Sequence, residues 1–182
     1  MFDHLKSALS LRIGEFVRQR GATTTVEFGL VAAPFIALTI GIMQTALVFF
    51  SGQTLETAAA AAGRLIMTGQ AQTQGWGASQ FKTQVCGKVL ALINCQSGLS
   101  VDVETYSSFA QANLSLPITS GNFNTSGMGY NPGGPGSIVV VRLYYQFPAY
   151  VNLMGFNMGN LSSGADLIAA TAVFKNEPYA SS

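Results

Sequence analysis

Few side chains in this sequence are equipped for chemistry, and their order along the chain limits what they can do. The sole histidine, His4, stands ahead of a long apolar run, so no Ser/His/Asp or Cys/His arrangement can be assembled in the part that follows. The carboxylates of 69–182, Asp102, Glu104, Asp166 and Glu177, are scattered. Asp102 and Glu104 fall on one face of an expected strand, where a solvated edge is the ordinary explanation and a catalytic acid pair the less economical one. The glycines of GMGYNPGGPG, 127–136, follow no strand and open no helix, which argues against a phosphate cradle. Asn-x-Ser triplets at Asn113, Asn124 and Asn160 are expected by chance in so Asn- and Ser-rich a chain. No enzyme, cofactor or catalytic residue is indicated.

Cys86 and Cys95 are the only cysteines. With no histidine near them they cannot complete four zinc ligands, so no metal is expected. Nine residues of unbroken helix would rise about 13 Å, too far for a bridge, so a disulfide requires the helix beginning near Ser79 to end before Cys95. Closing a loop of about ten residues would stabilise the fold by roughly 2–3 kcal/mol. A disulfide is the preferred reading, with two buried thiols as the alternative.

One further carboxylate stands at the edge of the apolar run. Glu27 lies at the head of the segment 28–50, 23 residues without a charge. As a helix this stretch would extend about 34 Å, enough to cross a hydrocarbon core of roughly 30 Å. Overall the chain has 182 residues, 48% hydrophobic and 9% charged, too apolar for an ordinary soluble domain. Ahead of the span, Lys6, Arg12, Arg18 and Arg20 outnumber Asp3 and Glu15, a bias that holds the N-terminus in the cytoplasm and sends the remainder across. From Glu56 onward five basic residues balance five acidic ones, leaving no cationic surface for nucleic acid. The Ala-rich run after the span could mimic a signal-peptidase site, but the apolar core is well beyond the roughly 7–15 residues of a signal peptide.

The elements that position these residues follow from periodicity. Residues 1–22 form a polar leader with Phe2, Leu5, Leu9, Ile13 and Phe16 near one helical face, read as a cytoplasmic tail. Residues 23–68 read as one long helix with its transmembrane part at 28–50, kinked or locally melted at Pro34. Beyond the span, Leu55, Ala58, Ala62 and Leu65 keep helical spacing. The alanines of 58–62 permit close approach of another element, or simply supply helix propensity on a core-facing stretch. Residues 69–182 read as a periplasmic α+β domain. It comprises a polar connector at 69–77, a second helix with Phe81, Val85, Val89 and Leu92 on one face, and a three- or four-stranded antiparallel sheet. Its strands are expected in SVDVETYSSFA, LSLPI, SIVVVRLYYQFP and, by its T-A-V-F run, ADLIAATAVFKNEPY. The stretch 119–136 is a Gly/Asn/Ser/Pro loop, either mobile or an interaction surface.

At GATTTVEFGLVAAPF the sequence resembles the processing and membrane motif of TadE-like pseudopilins of the tight-adherence (Tad/Flp) pilus. QTLETAAAAAGRLIMTGQAQ, VCGKVLALINC, VVVRLYYQFP and TAVFKNEPY are similar to stretches found in order in such proteins, so the resemblance covers most of 18–179. It implies a pilin-like subunit in the bacterial inner membrane, possessing a prepilin-peptidase site and acting in pilus assembly and surface adherence. Implied partners are other pilins, the prepilin peptidase and the Tad assembly platform with its secretion ATPase and secretin. Gly21, Ala22 and Thr23 match the processing site, and Glu27 and Phe28 the assembly motif. Related prepilins usually have four residues between the Gly and the Glu. Here 22–26 makes five, so cutting after Ala22 restores the usual register, whereas cutting after Gly21 leaves Glu27 one place late. Gln44 stands where the family often has an acidic residue. A membrane-anchored periplasmic scaffold that is never polymerised is the alternative role.

Two physical readings of Glu27 follow. On a lone helix it snorkels to the headgroups or loses its charge, the cost of carrying it to the bilayer centre being up to about 2.5–3.5 kcal/mol. In an assembly, the α-ammonium freed by cleavage could meet it at ~4 Å, where an effective dielectric near 20 gives about 4 kcal/mol of attraction, comparable with that cost.

Overall fold

The computed structural model describes residues 20–89, 93–148 and 159–179, with side chains described from Thr24 onward. The leader 1–19, with its five apolar positions, and Leu92 lie outside the described residues. The first element is the helix α1, Arg20–Met67, 48 residues long. It begins ahead of the expected start at 23, because Gly-Ala-Thr contains nothing stronger than one glycine to oppose helix. Two compact units divide the chain at Met43 and Gln44.

In the first unit, α1 presents apolar side chains on every side. Phe28 is 74% exposed and Leu30 75%, and Val31, Phe35, Ile36 and Leu38 are also exposed. The helix runs unbroken through Pro34, so the local melting expected there does not occur. Proline removes one donor and frees one carbonyl, a loss confined to one turn that the flanking hydrogen bonds survive. By length and composition α1 can cross a membrane, and its most apolar stretch is not buried against any of the described residues.

In the second unit the helix changes character. Leu55, Ala58, Ala62 and Ile66 are completely or almost completely buried, at the spacing that puts them on one face. They share a core with Val139, Val141 and Leu143 of a three-stranded antiparallel sheet. The strands are β1 (Leu99–Tyr106), β4 (Ile138–Phe147) and β5 (Asp166–Lys175), in the order β1-β4-β5. The small residues on α1 are both core-facing and spacers. A Cβ added at Gly63 would lie 3.0 Å from the Phe174 ring and 3.3 Å from the Ala172 Cβ, so helix and β5 are already at closest approach.

Short helices connect these layers. α2 (Gln70–Thr73) follows Gly69, which ends α1 in the left-handed conformation at φ 77°, where glycine is favoured. α3 (Ala78–Cys86) buries Phe81 and Val85, and α4 (Cys95–Gly98) leads into β1. α3 stops at Cys86, earlier than expected, and Val89 joins the core from beyond its end. Gly87 sits at the stop, and a disulfide joins Cys86 to Cys95 with 5.5 Å between their Cα atoms. That separation is within the range a bridge needs and far below the rise of a continuous helix.

Two strand expectations fail in part. β1 ends at Tyr106, and 109–111 forms a 3-10 turn instead of continuing to Ala110. LSLPI is not a strand of the sheet, since Pro117 lacks a donor and only Ile118 enters β2 (Ile118–Thr119). β2 pairs with β3 (Asn122–Phe123) in a hairpin whose two turn residues, Ser120 and Gly121, both have positive φ, as a tight hairpin turn requires. Apart from Ile118 this hairpin lies within the expected loop, and it contributes Phe123 to a second cluster with Tyr144, Leu161 and Leu167 on the opposite sheet face. The outer edge of β1 is occupied as well, because the Val103 N–H donates to Gly129 O and the Asn131 N–H donates to Val103 O.

The closing residues fasten the far end of α1. Glu177 N–H donates to the Met67 carbonyl at 2.9 Å, and the Tyr179 ring lies against Gly69, where an added Cβ would fall 2.4 Å from Cγ. Buried Asn176 donates through Nδ2 to the carbonyls of Pro132 and Gly134. The packing predicts that Ala62→Leu lowers unfolding free energy by about 1–3 kcal/mol through overpacking, while Ala60→Leu, on the exposed face, changes it little. Urea unfolding of both detergent-solubilised variants checks this, and equal stabilities would contradict the close helix–sheet contact.

Candidate functional site

The chemistry-bearing residues fall into two groups. Gly21, Ala22 and Thr23 lie in the first turn of α1, and Glu27 and Phe28 follow one turn later. Glu27 is exposed and, among the described residues, has no ion-pair partner. Its neighbours Val26, Phe28 and Leu30 are exposed apolar side chains. A carboxylate amid uncovered apolar surface is costly in lipid unless something outside this chain meets it. Gln44, uncharged where an acid was considered, is buried.

The second group is on the sheet, and here the expectation of a solvated edge is overturned for Asp102, while Glu104 stays half-buried. Asp102 is directly opposite Arg142 in the β1–β4 register, and both are buried. The Arg142 Nη2 pairs with Asp102 Oδ2 at 2.7 Å and also with Glu104, while Nη1 donates to Asn113 O at 2.6 Å. Tyr106 donates its hydroxyl to Glu104, and Gly129 N–H donates to Asp102 Oδ1 at 2.9 Å. Burial alone would lower the Arg142 pKa, but attraction to Asp102, together with Glu104 and neighbouring tyrosines, raises it, so the guanidinium stays charged. Burial also raises the Tyr106 pKa, and its hydrogen bond to Glu104 adds to the effect. The physical reason for the burial is that Arg142 occupies the central strand, where a cation is tolerated only with carboxylates beside it. A lone arginine in SIVVVRLYYQFP, with two acids two residues apart in a preceding strand, was the available signal.

The three Asn-x-Ser triplets each hold local structure together. Asn113 Oδ1 accepts from Ser115 N–H and Oγ, and Asn124 Oδ1 accepts from Ser126 N–H and Oγ, the same local turn twice. The Asn160 side chain pairs with both backbone groups of Leu167, satisfying the start of β5 as a neighbouring strand would. No group of three or more potential metal ligands occurs among the described residues.

Part of the chain matches a family model described as TadE-like protein. The match spans residues 22–64. This TadE-like segment contains the exposed apolar part of α1, Glu27, Phe28 and the small residues that seat the helix on the sheet. None of the curated proteins and none of the solved structures compared matches the chain.

Removing one member of the buried cluster should be expensive. Arg142→Met strands Asp102 in the interior and is expected to destabilise the fold by about 3–5 kcal/mol, with much of the loss recovered when Asp102→Asn is added. A urea-unfolding double-mutant cycle measures this, and a loss below about 1 kcal/mol would contradict a buried ion pair.

Tyr130 supplies a second check. Its hydroxyl is buried without a hydrogen-bond partner among the described residues, its ring packs on Phe81 with centroids 5.3 Å apart, and burial pushes its pKa up to about 12. A raised acid pKa means its contribution is fully present below an unfolded value near 10 and is lost as pH rises from there through about 12. Tyr130→Phe should flatten that alkaline decline. Superimposable stability curves for wild type and variant between those limits would contradict the assignment.

Proposed function

We propose that the chain is a minor pseudopilin of a tight-adherence, Flp-type pilus, needed for pilus assembly and through it for surface adherence. The observation that carries this reading is the TadE-like match on a helix whose first half, among the described residues, is left largely uncovered and includes Glu27 without an ion-pair partner. On this reading the protein is a single-pass inner-membrane protein with its N-terminus cytoplasmic and the sheet-bearing domain periplasmic. The basic residues ahead of α1 support that orientation. A prepilin peptidase cuts beside Gly21, Ala22 and Thr23. Since these residues are helical, the peptidase must unwind the first turn to reach an extended peptide bond. The new α-ammonium of one subunit then meets Glu27 of another, and the apolar half of α1 exchanges lipid for neighbouring pilin helices. The assembly platform and other pilins are the partners, and no nucleic acid is involved.

Glu27→Gln separates this role from that of a scaffold. The variant is nearly isosteric, so membrane insertion should remain at the wild-type level while the chain recovered with sheared surface filaments falls several-fold. Fractionation and immunoblotting provide the readout. Wild-type protein confined to the inner membrane would favour a scaffold that is never polymerised, and undiminished filament recovery from the variant would remove the charge from the mechanism.

A further inference from the structure

On the sheet face opposite α1, the Arg142 cluster floors a pocket of about 300 Å³ that the role of the TadE-like segment does not use. We infer that this pocket binds one unit of an uncharged saccharide. The chemistry of its lining selects that class by elimination and by positive fit.

Anions are excluded first. Asp102 and Glu104 against Arg142 give two negative charges and one positive, a net −1. The guanidinium is a poor anion receptor, because three of its Nη hydrogens already go to Asn113, Asp102 and Glu104 and the two carboxylates outweigh its charge. Its Nε is enclosed, out of reach of a ligand in the pocket. A divalent cation finds no cluster of three or more His, Cys, Asp or Glu ligands among the described residues, and Asp102 already accepts from Gly129 N–H at Oδ1 and pairs with Arg142 at Oδ2. A cation would also face the guanidinium at close range.

What remains is a set of neutral donors and acceptors around a charged floor. The two Asn-x-Ser turns both line the pocket. Each fixes an asparagine with its Oδ1 consumed by a serine, which leaves the Asn113 and Asn124 Nδ2 groups as donors and the serine oxygens as acceptors. Vicinal hydroxyls on a sugar ring use such alternation, each accepting from an amide and donating to a hydroxyl or carboxylate oxygen. Met128 and Tyr144 add apolar surface to the wall, suited to the C–H face of a pyranose. The loop 119–136 thus serves as a wall of this pocket as well as a cover for the sheet.

The test uses the full chain in lipid nanodiscs with three soluble probes: chitobiose, maltose and, as the anionic control, sialyllactose. Saturation-transfer NMR should show transfer to at least one of the two neutral sugars and, for sialyllactose, affinity weaker by about ten-fold or more. Ser126→Trp fills the pocket from an exposed turn, and Thr119→Trp fills it from the hairpin, so loss of transfer in whichever variant keeps a wild-type melting profile supports the site. No transfer to either neutral sugar would overturn the inference. So would transfer that survives in a folded Trp variant, or a preference for sialyllactose.

Discussion

A single helix must satisfy two solvents, and the rest of the structure depends on that constraint. Between Thr24 and Phe50 the side chains of α1 are mostly apolar and mostly uncovered, which in water would be untenable and in lipid costs little. From Ser51 onward the same helix buries one face against a sheet. The change is written in side-chain size: Phe, Ile and Leu give way to alanine and glycine where β5 must approach. A bulky residue on that buried face would hold the sheet away and expose the core behind it.

The sheet then carries polar residues that its own position makes expensive. Burying Arg142 in the central strand is tolerated because its carboxylates arrive in register from β1 and its other nitrogen finds the carbonyl of Asn113. The second face is therefore a built surface, with hairpin, turns and ion pairs interlocked. At the other end, 176–179 ties the terminus of α1 to the loop before β4, so the closing residues act as a fastener for helix and sheet together.

Much of this was legible in the residues, for physical reasons that differ by element. β4 and β5 announced themselves through β-branched and apolar runs, and α1 through length and apolarity. The disulfide loop was readable because helix rise forbids bridging nine residues without a break. Burial of Asp102 was not legible from its own strand, since alternation says which residues share a face but not what covers it. Its cause lies 40 positions away in Arg142, and only the register joins them. LSLPI misled because apolar alternation cannot outweigh a proline without a neighbouring strand to pair with. The Asn-x-Ser turns escaped notice because their common geometry depends on side-chain-to-backbone bonds that composition does not display.

The central claim is that α1 is the processed assembly helix of a pilin-like subunit, with Glu27 held for an amine that only cleavage creates. The N-terminal mass of native protein from the producing bacterium tests it most directly. A mature chain starting at Ala22 or Thr23 is the predicted result, and native material that retains Met1, or that starts near Ala60, would contradict it.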